Sequence, residues 1–171
     1  MSTTFDPVDL RRESDPELLE DGRTFARALS ELIRIVQFRD RDRACCYDVS
    51  VSQCYALEGV VEAGALTVND LAGHLYLDKS TASRIANGLV ERGLLERERS
   101  SEDGRVVRLV PTGEGRALCG RIHADLATEY SELLRDYDEP VREAAIEVVR
   151  RLARSFSARV DTTGGSCCVV R

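Results

Sequence analysis

The sequence predicts a mainly α-helical protein that carries one small β-hairpin. Three features support this fold class: long stretches with apolar residues every three or four positions, two compact helical segments in the middle of the chain, and two short β runs directly after them. The chain has 171 residues, of which 43% are hydrophobic and 32% charged, so it can build a core of ordinary domain size.

The N-terminal part is predicted to be an acidic segment over residues 1–15 followed by a long helix over residues 16–38. Apolar residues recur with helical spacing across Leu18–Val36, and an Asp-Pro pair just before them is a helix start signal. We expect the helix to end in the charged stretch Arg39–Arg43. Cys45 and Cys46 would then lie in or beside an irregular connection.

Three shorter helices are expected next. The first is capped within residues 48–52 and ends near Gly64, the second is capped by Asn69, and the third is capped by Asp78 or Ser80. In the third of these helices the apolar residues should face the core. They are Ile85, Leu89 and Val90.

Gly93 should end that helix, and the β runs Leu94–Arg99 and Val106–Val110 follow it. The Ser-Ser-Glu-Asp-Gly segment between the two runs is typical of a hairpin loop. A helix pair followed by a hairpin indicates a winged helix-turn-helix, here over about residues 50–110, in which the hairpin is the wing.

Two further long helices are predicted over residues 112–137 and 140–160, and a flexible tail over residues 161–171. The region 16–160 is thus predicted to be a single domain. The small central module can cover only part of the apolar stripes on the three long helices. Dimerisation through these helices is the economical way to bury the rest.

The charge distribution suits a nucleic-acid partner better than the net charge of −6 suggests. The acidic head carries seven acidic residues and two arginines over residues 1–22, whereas residues 78–108 carry seven basic and six acidic residues. The basic residues are 23 arginines and the single Lys79. Arginine makes planar, bidentate contacts with phosphates and guanine edges, and local charge sets the attraction to phosphates.

The helix before the hairpin carries hydroxyl, cationic and amide side chains on one face, a mixture suited to phosphates and the major groove. A solvated helix face is the alternative interpretation of the same residues. The candidate DNA-contacting residues of this helix are Lys79, Ser80, Thr81, Ser83, Arg84 and Asn87.

Four blocks of sequence in this region form a specific pattern. They are LTVNDLA at Leu66–Ala72, KSTASR at Lys79–Arg84, LVERGLLER at Leu89–Arg97 and DGRVVRL at Asp103–Leu109, with Thr112 and Gly115 after them. In this pattern the sequence resembles the MarR family of bacterial transcription regulators, over about residues 18–160. It departs from the family at Pro111, where a leucine is frequent.

The resemblance implies an obligate dimer whose first and last two helices interlock and whose two winged lobes bind a palindrome of double-stranded DNA. It also implies that Arg105, beside the wing tip, lies in or over the minor groove and that Asp103 orients it. The protein is therefore predicted to be a DNA-binding transcriptional regulator, acting as a repressor.

A small metal-dependent enzyme is the rival hypothesis, and the sequence argues against it. A glycine-rich phosphate loop, a helical metal-binding motif and a nucleophile elbow are all missing from the sequence. His74 fits a helix surface and His123 an interface, and Cys119 four residues before His123 is a weak zinc signal. The acidic start and the interrupted apolar stretches predict neither a signal peptide nor a membrane span, so we expect a cytoplasmic protein without catalytic residues.

Cysteine is the overrepresented chemistry, with six residues in the chain. Cys54 and Cys119 suit small core positions, although a sensing role is an alternative for each. The vicinal pairs Cys45-Cys46 and Cys167-Cys168 are better candidates for sensing, because exposed paired thiols are a liability without a use. Three arginines just before the first pair favour the thiolate form.

Family members respond to a small molecule, an oxidant or a metal, so three classes of inducer are open. A thiophilic ion such as trivalent arsenic, mercury or copper(I), and less readily zinc, could bind the thiols. Oxidation could form a disulfide instead, or an organic ligand could act without the cysteines. We expect arsenite, held by Cys45, Cys46 and a third sulfur from Cys167 or Cys168, to release the repressor, with no obligatory cofactor.

Overall fold

The computed structural model describes residues 15–99 and 104–163, except the side chains of residues 40–46 and 160–163. The acidic segment over residues 1–14, the hairpin loop over residues 100–103 and the tail from residue 164 lie outside the described residues. The elements in chain order are α1 (Pro16–Cys46), α2 (Val51–Ala63), β1 (Leu66–Thr67), α3 (Val68–His74), α4 (Lys79–Glu91), β2 (Leu95–Arg99), β3 (Val107–Pro111), α5 (Gly113–Leu134) and α6 (Glu139–Thr163). The predicted mainly α-helical class with a winged hairpin is confirmed.

Helix α1 is longer than predicted, because it continues through Arg39–Arg43 to Cys46. That stretch alternates arginine with aspartate and contains neither glycine nor proline, and arginine is a good helix former. The chain turns only after the helix, where Asp48 adopts a left-handed φ of 55°. Cys45 and Cys46 are therefore the last two residues of α1, beside the connection and not in it. The chain divides into two compact units after Asp48.

Reciprocal caps start α2 and α3. Ser50 and Gln53 form a capping box at α2, and Gly64 ends that helix, as predicted. At α3 the cap is Thr67, so the prediction of Asn69 is wrong. Asp70 explains this choice, because its amide donates to Thr67 Oγ1 at 3.2 Å while its carboxylate accepts from the Thr67 amide at 3.1 Å.

The core of the second unit lies between α2, α3, α4 and the sheet. Leu89 is fully buried as predicted, whereas Ile85 and Val90 are only half-buried. The other buried positions of α4 are Ala82 and Ala86. Alanines let helix backbones approach closely, so the small residues of α4 face the core and the opposite face carries the polar residues.

The three strands form one antiparallel sheet in the order β1-β3-β2. Leu66 pairs with Leu109, and β2 pairs with β3 from Leu95 opposite Pro111 to Arg99 opposite Val107. The two hairpin strands each start one residue later than predicted. Strand β1 was not predicted as a strand, because two residues carry too little alternation to be distinguished from a loop.

Thr112 joins β3 to α5. Its hydroxyl donates to Gly93 O at 2.7 Å, lies 3.2 Å from Leu94 O, and accepts from the Gly115 amide at 3.0 Å. A Cβ on Gly115 would lie only 2.0 Å from Leu94 O. The Thr-x-x-Gly spacing therefore fixes the start of α5 against the end of α4 and the start of β2.

The boundaries of the last two helices also differ from the prediction. Helix α5 ends at Leu134, where the Tyr137 amide bonds back to Leu134 O, and α6 continues to Thr163. Residues 161–163, which were predicted to belong to the tail, are therefore helical. The first glycine of the predicted tail comes after them in the sequence, at position 164. Every helix within the described ranges is too short or too polar to span a membrane.

We predict that Gly115→Ala destabilises the protein by about 1 to 3 kcal/mol, because the new methyl group forces the α5 backbone away from Leu94 O. Gly113→Ala is the matched control, since its Cβ would meet nothing within 4 Å. Urea unfolding of both variants measures the difference. Equal stability of the two variants would contradict the close approach at Gly115.

Candidate nucleic-acid interface

Helix α4 carries all six of the predicted helical DNA contacts. Its exposed side chains are Lys79, Ser80, Arg84 and Asn87, and the half-buried ones are Thr81 and Ser83. The buried alanines and Leu89 lie on the other side of the helix. The structure thus brings these polar residues together on one accessible face.

Asp78 organises the start of α4 as its N-cap. Its Oδ1 accepts from the Thr81 amide at 2.9 Å and from Ser80 Oγ at 2.6 Å, and its Oδ2 accepts from Thr81 Oγ1 at 2.7 Å. The hydrogen bond from the Ser80 hydroxyl, followed by those from Thr81, holds the pKa of the Asp78 carboxyl well below its usual range. Asp78 is therefore ionised at neutral pH and keeps both hydroxyl protons turned towards itself.

Arg84 is oriented by the same cluster. Its Nη2 donates to Thr81 Oγ1 at 3.0 Å, one helical turn towards the N-terminus of α4. Thr81 Oγ1 thus donates to Asp78 and accepts from Arg84. These linked hydrogen bonds direct the guanidinium of Arg84 along the exposed face of α4 towards the start of the helix.

Arg97 links the wing to α4. Its Nη2 donates to Asn87 Oδ1 at 2.6 Å. Leu95 and Arg97 lie on the same face of β2, since side chains alternate along a strand, and Leu95 is buried. Arg97 was not predicted as a site residue. The signal that could have identified it is its position two residues after the core residue Leu95, which places both side chains on the face of β2 that is turned towards the helices.

The wing places Arg105 at its outer end. Arg105 is exposed and lies just before β3, where Val107 pairs with Arg99. Asp103 lies outside the described residues, so its orienting effect on Arg105 stays a prediction. Two further exposed arginines, Arg99 and Arg108, lie on the hairpin strands near Arg105 and add to the positive charge of the wing.

Two of the six cysteines, Cys54 and Cys119, have described side chains, and both are present as thiols. Cys119 is buried, and burial raises the pKa of its thiol, with Glu58 and Glu62 adding to the effect. A raised pKa disfavours the thiolate that binds metals, which supports the prediction of a core role. Cys54 is half-buried in α2. The side chains of Cys45 and Cys46, and all of Cys167 and Cys168, lie outside the described part of the chain.

The Cys119–His123 zinc signal has no further ligands among the described side chains. His123 Nε2 lies 2.8 Å from Glu58 Oε1 and 3.9 Å from Cys119 Sγ. Within residues 15–99 and 104–163, no group of three histidine, cysteine or acidic side chains could hold a metal ion. His123 instead connects α5 to α2, and His74 is exposed, as predicted for a helix surface.

The long helices expose many large apolar side chains in this single chain. On α1 they are Leu18, Leu19, Phe25, Leu32, Ile33, Ile35 and Phe38. On α5 and α6 they are Tyr130, Leu133, Val141, Ile146, Val148, Val149 and Phe156. Large apolar side chains exposed in such numbers on single helices are typical of interaction surfaces.

Comparison with known proteins supports the same fold and function. Residues 47–106, which contain α2 to α4 and β2 and end just before β3, match a MarR family model. The uncharacterised HTH-type transcriptional regulator YsmB of Bacillus subtilis is 28% identical over 135 residues, which are 78% of this chain and 88% of YsmB. The similarly described regulator YxaD of the same species is 27% identical over 128 residues, 75% of this chain and 90% of YxaD.

Two solved structures show the same fold. The MarR family transcription regulator SP03579 has a TM-score of 0.73 and 23% identity, covering 85% of this chain and 96% of its own. The crystal structure of Streptococcus pneumoniae FabT in complex with DNA has a TM-score of 0.71 and 18% identity, covering 80% of this chain and 97% of FabT.

The enzyme hypothesis loses its support here, because the family match and the relatives all point to regulation of transcription. Over residues 47–106 the chain is therefore similar to the MarR family, the two regulator relatives extend this similarity over most of the chain, and the solved structures share its winged-helix fold.

Proposed function

We propose that the protein represses transcription as a homodimer that binds a palindromic DNA duplex. Each copy places α4 in a major groove and Arg105 in or over the adjacent minor groove. The observation that carries this proposal is the accessible polar face of α4, which Asp78 organises at its start and Arg97 joins to the wing. A winged helix uses these two elements for duplex DNA.

The α4 side chains have different roles in this proposal, according to their chemistry. Lys79 and Arg84 supply cations for phosphates or guanine edges, and Asn87 supplies an amide for base edges. Ser80 and Thr81 already donate to Asp78, so their role is to hold the helix start. FabT, which shares the fold, was crystallised in complex with DNA, and this supports a DNA partner for the present protein.

We predict that Arg84→Ala and Arg105→Ala each weaken binding to the operator by about 1 to 3 kcal/mol, because each removes a cationic contact with DNA. Fluorescence anisotropy at several salt concentrations measures the loss and the salt slope. Arg135→Ala, which removes an equal charge at the end of α5, is the control. Full affinity of both variants would remove these residues from the interface.

Dimerisation is supported by the apolar side chains of the long helices. Leu32 on α1 is 57% exposed and Val149 on α6 is 65% exposed in the single chain. Large apolar surface left in water by one chain is buried when a symmetric copy covers it. A palindromic operator has the same two-fold symmetry, so two lobes would bind two half-sites one helical turn apart.

We predict that Leu32→Asp and Val149→Asp shift the protein towards monomers and lower DNA affinity in parallel, because burying a carboxylate in an apolar interface is costly. Sedimentation velocity and anisotropy on the same samples measure both effects. Thr24→Asp, at an exposed polar position of α1, should change neither. A monomeric variant with full operator affinity would contradict the dimer proposal.

The inducer in this proposal is a thiophilic ion, with trivalent arsenic as the best match. Three thiolates satisfy its trigonal coordination, and the pair Cys45-Cys46 would need one sulfur more, from Cys167 or Cys168. The buried Cys119, with its raised thiol pKa, is a poor alternative donor. Cys45 and Cys46 are the last two residues of α1, which is one of the helices proposed to form the dimer.

A contact in the second unit could carry a helix movement to the DNA. Tyr76, in the turn between α3 and α4, donates from its hydroxyl to Ser157 Oγ on α6 at 2.8 Å. Tyr76 also has a left-handed φ of 53°, so this turn is conformationally restricted. A shift of α6 on inducer binding would therefore reach the start of α4 and change the spacing of the two lobes.

We predict that arsenite releases the fully reduced wild-type protein from its operator, whereas Cys45→Ser/Cys46→Ser and a chain truncated after Ser166 respond at least about tenfold less. Native mass spectrometry and DNA-release titrations with arsenite, mercury, copper(I) and zinc measure this. Cys54→Ser is the thiol control. Release by peroxide that dithiothreitol reverses would favour the disulfide alternative, and undiminished release from both variants would favour an organic ligand.

A further inference from the structure

We propose that Arg97 determines which base Asn87 reads. By holding the Asn87 carbonyl, Arg97 leaves the amide nitrogen as the group offered to DNA, and Asn87 then selects guanine instead of adenine. The proposal rests on the DNA-binding function proposed above and adds a specificity rule to it.

The orientation of the Asn87 amide follows from the chemistry of its partner. The Arg97 guanidinium has only N–H donors, so the Asn87 atom at 2.6 Å from Arg97 Nη2 must be the acceptor Oδ1. The amide nitrogen Nδ2 consequently lies on the other branch of the side chain. A charged donor at this distance makes a strong hydrogen bond, which holds the amide in this orientation.

The backbone on both sides of the contact is well fixed. Arg97 pairs with Leu109 on β3, and Leu109 and Leu95 are both buried in the core. Asn87 lies next to the buried Ala86 on α4. Both side chains are exposed, so the contact lies at the accessible surface between the α4 face and the wing.

Adenine and guanine differ in the groups that they present in the major groove. Adenine offers an acceptor at N7 and a donor at N6, so a bidentate contact from asparagine requires both Oδ1 and Nδ2. Guanine offers acceptors at N7 and O6, which require donors alone. With Oδ1 engaged by Arg97, Asn87 presents the two N–H donors of Nδ2, and these match guanine.

The experiment measures base preference at every operator position for the full-length dimer, using a randomised duplex library. Wild type should prefer guanine at one symmetric pair of positions, and Asn87→Ala should lose that preference. Arg97→Met frees Oδ1 and should shift the preference at the same pair towards adenine by at least about fivefold. Arg99→Met removes an equal charge further along the same face of β2 and should keep guanine.

Asn87→Asp tests the donor role without changing the wing. It keeps an oxygen for Arg97 and replaces the Nδ2 donors, so affinity for the guanine operator should fall at least about tenfold. An unchanged guanine preference in Arg97→Met, a change at positions other than those affected by Asn87→Ala, or full affinity of Asn87→Asp would each overturn the proposal. Failure of the wild type to select any duplex would instead overturn the proposed DNA-binding function.

Discussion

The hydroxyl of Thr112 joins three elements on which the DNA-binding surface depends. It bonds to the carbonyls at the end of α4 and the start of β2, and it caps α5 through the Gly115 amide. The missing Cβ of Gly115 lets α5 approach Leu94 O closely. Because α4, the wing and α5 meet at this point, a movement of α5 has a direct structural connection to both elements of the candidate DNA-binding surface.

Neighbouring side chains, and not the net charge of the chain, set the electrostatic character of the α4 face. The net charge of the chain is negative, yet hydrogen bonds from Ser80 and Thr81 hold the Asp78 carboxylate at the start of the helix, and Thr81 in turn positions Arg84. Arg97 likewise orients the side chain of Asn87 by donating a hydrogen bond to its Oδ1. Arg84 and Asn87 are thus each oriented by a neighbouring side chain, and preorganisation lowers the entropy lost on binding. A DNA-binding surface can therefore persist in an acidic chain.

Thiol chemistry and packing separate the cysteines into two groups. Cys119 is buried beside acidic residues that disfavour its thiolate, which suits a core residue. The vicinal pairs lie at the end of α1 and in the tail, away from that core in sequence. A sensor needs thiols that an ion can reach, so the proposed inducer site involves the pairs at these two ends and leaves the core intact.

The sequence by itself determined the fold class and the grouping of polar residues on α4, because periodicity, capping residues and the Thr-x-x-Gly spacing act locally. The sequence-based prediction misplaced the end of α1, because the alternating arginines and aspartates continue the helix. It also misplaced the cap of α3, because Asp70 forms a capping box with Thr67. Only tertiary structure decided the pairing of β1 with β3 and the contact of Arg97 with Asn87. Each of these two contacts joins residues that are at least ten positions apart in the chain. Which residues meet therefore depends on how the core positions the helices against the strands.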